Sequence, residues 1–197
     1  MLKITQPEDS PLPEVVQYKE RPTIVIIGRV HPGETCGSHM MHGVMQFLTS
    51  KENKNAATLR SMFKFILVPM MNVDGVILGN FRAGLSGDDL NRSYLKPSPK
   101  LHPSVFHIKS YISNSKNVVF FLDLHGHSTK PNVFSYGPDL SKTDPVYDYA
   151  RMYSKLVDHI CEPFKFNKCT WRIHKSKKAT ARAVFLKKSK FYIFLIL

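Results

Sequence analysis

The sequence predicts an α/β fold: a mixed, mostly parallel sheet flanked by helices. Three apolar runs carry that reading, Thr23-Ile24-Val25-Ile26-Ile27, Phe63-Lys64-Phe65-Ile66-Leu67-Val68 and Val118-Val119-Phe120-Phe121-Leu122. Each is nearly continuous rather than alternating, which is the pattern of a strand covered on both faces. The segments between them have helical period, as expected of strands joined by helices.

Residues 1–22, rich in proline and charge, read as a lead-in strand or linker. The strand over 23–30 runs into His31-Pro32-Gly33-Glu34, with Pro32 where a first helical turn tolerates proline. A helix follows from Gly33 to about Thr49, because Met40, Met41, Val44, Met45 and Leu48 make one apolar stripe. Asn53 and Asn55 mark a loop. The second strand leads into Asn72-Val73-Asp74-Gly75, a turn signal. Residues 76–97 carry Gly79, Gly84 and Gly87 with little periodicity and read as one long loop, a feature that is usually functional or disordered. A helix over 103–113 opens at Pro103 and carries Val105, Phe106, Ile108 and Ile112. The third strand ends at His125-Gly126-His127-Ser128. A last helix runs from Pro145 to Ile160, with Asp144 as its N-cap and Pro163 beyond its end.

The chain has 197 residues, 43% of them hydrophobic, enough for one domain with a substantial core. No run approaches the roughly 20 apolar residues of a membrane span, and the first residues lack the apolar stretch of a secretory signal. Cys36, Cys161 and Cys169 are odd in number and lack C-x-x-C spacing, which suits a reducing cytosol. The net charge is +13, but ten Lys or Arg fall between Lys165 and Lys190, and removing those ten leaves +3. A basic segment attracts nucleic acid, anionic lipid and acidic polypeptide alike, so charge alone does not choose among them.

Ligands of open α/β sheets gather at the carboxyl ends of strands. His31 and His125 each stand just past such an end. With Glu34 they make a His2Glu set that can hold zinc and leave a fourth position open. The same three residues also read as an acidic helix cap and two loop histidines, and spacing admits both. Arg82, Asn91 and Arg92 lie in one Gly-rich loop and suit a carboxylate, because the guanidinium fork pairs both oxygens. They read equally as loop arginines paired with Asp88 and Asp89.

Four blocks in order carry a resemblance: Gly28-Arg29-Val30-His31-Pro32-Gly33-Glu34-Thr35, Pro69 to Val76, Gly79 to Arg92, and Asp123-Leu124-His125-Gly126-His127-Ser128. They resemble zinc metallocarboxypeptidases of the M14 type, most of all the cytosolic carboxypeptidases, which trim glutamates or terminal residues from tubulin and other acidic tails. The likeness runs from about Leu2 to about Lys188. It implies a zinc carboxypeptidase-like fold, incomplete at the C-terminus, with 23–190 a partial catalytic domain and 191–197 an atypical apolar tail.

Residue by residue, the resemblance implies that His31, Glu34 and His125 ligate one Zn2+ per chain. Arg82 polarises the scissile carbonyl, and Asn91 and Arg92 grip the terminal carboxylate. Asp89 orients a histidine ligand, and Arg182, in Ser176 to Val184, favours an acidic side chain. His127 stays outside the ligand set, and His39, His42, His102, His107, His159 and His174 are structural or solvated. The implied partner is an acidic, tubulin-like protein tail in the cytoplasm, with no nucleic acid and no membrane.

The family's general base is a glutamate beyond Ala181-Arg182-Ala183-Val184, and no acidic residue follows Glu162. The base is therefore unassigned, and the chain reads as a truncated product that binds zinc and C-terminal carboxylates but hydrolyses poorly. A non-catalytic zinc- and carboxylate-binding module and a zinc deacylase of small N-acyl amino acids are the alternatives.

Overall fold

The structure is a computed structural model that describes residues 1–6, 20–186 and 192–196. Four parallel strands form the middle of its sheet: β2 (Thr23–Gly28), β3 (Lys64–Val68), β4 (Val118–Leu124) and β6 (Tyr192–Ile196). Short antiparallel strands, β1 (Leu2–Ile4) and β5 (Ser135–Tyr136), close its edges, giving the order β1-β3-β2-β4-β6-β5.

Side chains alternate across each strand, so the continuous apolar runs feed two cores. On one face Val25, Ile27, Ile66 and Phe121 pack with Val105, Ile108 and Ile112 of α4 (Pro103–Asn114) and with Val184 and Phe185 of α6 (Ala181–Leu186). On the other, Ile26, Phe65, Leu67, Leu122 and Leu124 pack with Met41 and Leu48 of α1 (Thr35–Thr49). Full burial of one such side chain is worth about 1.5–3 kcal/mol.

The first helix lies close against the end of β4. A Cβ on Gly37 would stand 2.8 Å from the Leu124 carbonyl oxygen. Gly37→Val therefore forces α1 away from the strand that presents His125, and the expected cost is about 1–3 kcal/mol. A lowered midpoint in urea denaturation checks this.

Several elements differ from the sequence reading, each for a local reason. Asn55 lies inside a helix, and the loop after α1 ends at Asn53. The Asn53 side chain accepts the N–H groups of Asn55 and Ala56 and caps α2 (Lys54–Met62). Asn72 likewise opens α3 (Val73–Ile77) rather than a bare turn, accepting from Gly75 N–H while its amide donates to the Val30 carbonyl. Asp144 accepts the Val146 N–H in a tight turn, so α5 (Tyr149–Ile160) begins after Pro145 rather than at it. The loop over 76–97 holds the end of α3 and one 3-10 turn, Leu90–Arg92.

The lead-in contributes β1, and its residues 7–19 lie outside the described residues. Within the apolar tail, Tyr192–Ile196 enters the sheet as β6 between β4 and β5, while residues 191 and 197 and the basic Lys187, Lys188 and Lys190 lie outside the described set.

β2 and β4 are parallel neighbours, in register from Ile24↔Phe120 to Gly28↔Leu124. Their carboxyl ends therefore stand side by side. This pairing brings together two histidines 94 positions apart in the chain.

Candidate active site

The chain leaves β2 through Arg29, whose φ of +58° is a left-handed backbone that a non-glycine residue adopts at a cost. Its side chain holds the turn that follows, with Nε donating to the Pro32 carbonyl and the guanidinium to Ser38 Oγ. Gly33 lets the turn pass close to Phe81, where its N–H meets the Phe81 carbonyl at 2.8 Å. His31 and Glu34 are thereby fixed at the start of α1.

Glu34 occupies the N-cap position of α1, yet its carboxylate bonds none of the helix's N–H groups. It reaches instead to His31 Nδ1 (2.7 Å), His125 Nδ1 (2.9 Å) and the Gly126 N–H (2.7 Å). The two Nδ1 atoms are 3.1 Å apart. Among the described residues this is the cluster of three His, Cys, Asp or Glu side chains whose ligand atoms converge, within 4.8 Å of one another. Ligands of a tetrahedral zinc stand about 3.3 Å apart at 2.0–2.1 Å from the ion. A few tenths of an ångström of opening turns these hydrogen-bonded contacts into such a site.

The far side of each ring supports the same reading. His31 Nε2 faces Asp89 Oδ1 at 3.1 Å, and His125 Nε2 faces Asp123 Oδ2 at 2.8 Å. A carboxylate behind each imidazole leaves the inner nitrogen free for a metal and raises its basicity. Asp89, expected from the sequence, does this for His31. Asp123 does it for His125 and was not singled out from the sequence, although it is the one carboxylate in an otherwise apolar strand. Asp123→Asn is expected to weaken zinc binding about 10- to 100-fold, measured by competition with a chelator.

The charges are strongly coupled. Burial opposes the charge of Glu34, but hydrogen bonds to His125 and His31 outweigh it and hold the carboxyl well below the usual range. Asp89 is held low in the same way, against burial, by His31 and by Arg82 and Arg92. For His125, burial disfavours the cation, yet the neighbouring Asp123 and Glu34 push its pKa up to about 9. A pKa raised on folding stabilises the fold below the ordinary value near 6.5, and that stability is lost as pH rises through about 9. The metal-free chain is therefore expected to lose thermal stability between pH 6.5 and 9. Zinc affinity, which requires the deprotonated ring, rises over the same range.

The cluster opens into a cleft of about 690 Å³. Arg82, Arg92, Arg172, Lys177 and Arg182 line it, and Glu34 is the one carboxylate among its lining residues. Arg82 Nε donates to Asp89 Oδ2 at 2.9 Å, with the guanidinium 3.9 Å from Glu34. Arg92 stands beside them, 3.8 Å from Asp89. Asn91 is buried, its amide nitrogen 3.3 Å from His125 Nε2 and its oxygen accepting the Ala181 N–H. It braces the site from behind, as well as lining the cleft.

Arg182 is only 5% exposed, and its guanidinium donates to the carbonyls of Gly137, Thr170 and Arg172 under the Tyr136 ring. Burial lowers its pKa to about 10, so it remains charged at neutral pH.

The other histidines divide. His127 lines the cleft, but its Nδ1 accepts the N–H groups of Thr129 and Lys130. His102 pairs with Asp88 at 2.9 Å and accepts the Ser98 N–H, because the loop folds back on the start of α4. His174 also lines the cleft, with Ser176 as its partner. His39, His42, His107 and His159 do not line the cleft. Cys36 does, two residues past Glu34.

Comparison with known proteins gives a consistent pattern. A family model described as zinc carboxypeptidase (peptidase M14) matches residues 1–96. The chain is 40% identical over 194 residues to human cytosolic carboxypeptidase 1 and 38% identical over 194 residues to human cytosolic carboxypeptidase 4. Each match takes in 90% of this chain but only 16% or 17% of the relative, so the chain spans about one sixth of their length. Among solved structures, a metallo-carboxypeptidase from Burkholderia cenocepacia superposes with a TM-score of 0.83 at 21% identity, covering 98% of this chain and 50% of its own. A metallo-carboxypeptidase from Pseudomonas aeruginosa in complex with (2-guanidinoethylmercapto)succinic acid gives 0.79 at 24% identity over the same shares. At these identities the structures speak for the fold alone.

Proposed function

This chain belongs to the M14 zinc carboxypeptidase family, a zinc-dependent group, and from that premise we propose that it carries the metal- and carboxylate-binding part of a carboxypeptidase acting on acidic protein C-termini. One observation carries the reading: three converging ligand atoms, each histidine backed by a carboxylate, open into a cleft whose charged lining is almost wholly cationic.

In this proposal His31, Glu34 and His125 hold a single zinc, which supplies Lewis acidity toward a carbonyl and toward water when bound. Arg82 lies where a cation stabilises charge developing on the scissile carbonyl oxygen. Arg92, with Asn91, receives the terminal carboxylate. Arg182 receives an acidic terminal side chain, because a buried guanidinium whose partners here are backbone carbonyls favours an anion over a neutral group. The lysines and arginines at the cleft mouth steer an acidic tail, tubulin-like in character, by their field. The names of the relatives and the three free cysteines suit a cytoplasmic setting. Among the described residues, no helix is long and apolar enough to cross a membrane.

Glu34 is committed to both histidines, so among the described residues the cleft offers no second carboxylate to take a proton from water. General-base help is worth about 10²- to 10⁴-fold. The zinc-loaded 197-residue chain is therefore expected to release glutamate from a glutamate-ended peptide slowly, followed by mass spectrometry against a full-length cytosolic carboxypeptidase. Release at the full-length rate contradicts the reading that the described cleft lacks a general base. The carboxylate-binding module among the alternatives predicts binding with no release at all.

A further inference from the structure

The segment that follows the arginine loop serves both histidines. Asp89 faces His31 Nε2, and Asn91 lies against His125 Nε2. Two residues past Arg92, Tyr94 is fully buried, packed edge-to-face on Phe185 in the core beneath the cleft. Phe121, Asp123 and His125 follow one another at the two-residue spacing of a single sheet face, and Phe121 belongs to the same cluster as Tyr94. Tyr94 and Asp123 therefore sit on the same side of the sheet, near enough for the Asp123 charge to act on the phenol, and Asp123 in turn touches the His125 ring.

Both are incompletely satisfied. Among the described residues the Tyr94 hydroxyl has no hydrogen-bond partner, and neither Asp123 oxygen makes a well-aligned hydrogen bond, although Oδ2 is 2.8 Å from His125 Nε2. Buried polar groups left in that condition are costly, and an O–H and a carboxylate are complementary. Trp171 Nε1, likewise buried without a partner among the described residues, lies outside this core cluster. The electrostatics agree: burial, and then the charge of Asp123, push the Tyr94 phenol up, so it stays a donor.

We infer that Tyr94 is a positioning residue for His125, its phenolic O–H holding the Asp123 carboxylate through a hydrogen bond that is direct or carried by one enclosed water. The phenolic O–H is a donor and the carboxylate an acceptor, so the two suit a direct bond, and one water with two polar partners makes the bridged form. Either way Asp123 is held in the orientation that keeps the proton on His125 Nε2 and leaves the Nδ1 lone pair for the metal position. A purely packing role would need only the ring. The inference rests on the proposed zinc site but concerns a residue that touches no metal.

Tyr94→Phe keeps the ring and removes the hydroxyl. Its zinc dissociation constant is expected to rise about 3- to 10-fold, with a shift of the His125 ring nitrogen resonances in the metal-free chain. In an Asp123→Asn background the same change is expected to add nothing, because the link is already cut. An unchanged zinc constant and unchanged His125 resonances in Tyr94→Phe overturn the inference, as does an equal loss in both backgrounds.

Should Tyr94→Phe not fold, the unaltered chain decides. A hydrogen-bonded Tyr94 hydroxyl proton resonates downfield and is protected from exchange, and a freely exchanging one overturns the inference. Absence of zinc binding in the unaltered chain would instead strike the metal-site proposal itself.

Discussion

Glu34→Ala is expected to weaken zinc binding severely while leaving the sheet intact. Among the described residues Glu34 is the side chain whose carboxylate bonds both histidines, and the Gly126 N–H bonds it as well. Removing its carboxylate takes away one of three protein ligands and the group that draws the two Nδ1 atoms together. The zinc dissociation constant should rise by roughly three orders of magnitude, about the share one of three ligands carries in a tight site. The metal-free variant should also melt earlier than the parent. His125 then has only Asp123 to offset its buried charge, and removing one partner of a buried ion pair costs about 3–5 kcal/mol. Chelator competition and thermal denaturation followed by circular dichroism read the two effects separately. An unaltered zinc constant would mean that Glu34 is a helix-start residue and nothing more.

The second large effect concerns ligand choice. Arg182 is buried at the cleft wall, held by three backbone carbonyls and stacked beneath Tyr136, with no carboxylate in ion-pair contact among the described residues. A pre-placed, desolvated guanidinium rewards a carboxylate by about 1.5–3 kcal/mol over a neutral amide. Arg182→Met is therefore expected to cost a glutamate-ended peptide about 10- to 150-fold in affinity and a glutamine-ended peptide little. The ratio between the two peptides is the measurement. A loss equal for both would make Arg182 a support for the carbonyls of Gly137 and Thr170 rather than a selector.

Much of this arrangement was legible in the sequence because it depends on strands. The apolar runs that became β2, β3 and β4 are long and nearly continuous, because burial on both faces favours apolar residues along them. Once those strands were placed, His31 and His125 had to stand at carboxyl ends, and parallel pairing of β2 with β4 brought them together.

What escaped was local chemistry with two uses. Asn53 and Asn72 look like turn residues in a sequence, and whether they cap a helix depends on the N–H groups that follow them in space. Asp123 looks like the polar end of a strand until His125 is seen folded over it. His102 has its partner 14 positions away in a loop whose course no periodicity reveals. Glu34 shows the reverse case. Its position is that of a helix cap, and its departure from that local rule is the sign that another demand governs it.

The central claim is that these residues form a zinc-dependent receptor for a C-terminal carboxylate. Titrating the chain with a fluorescent glutamate-ended peptide, and with the same peptide amidated at its C-terminus, tests it most directly when done with zinc and after chelation. The expected result is binding of the free acid that strengthens with zinc, and at least tenfold weaker binding of the amide. Equal binding of acid and amide, unchanged by zinc, would contradict it.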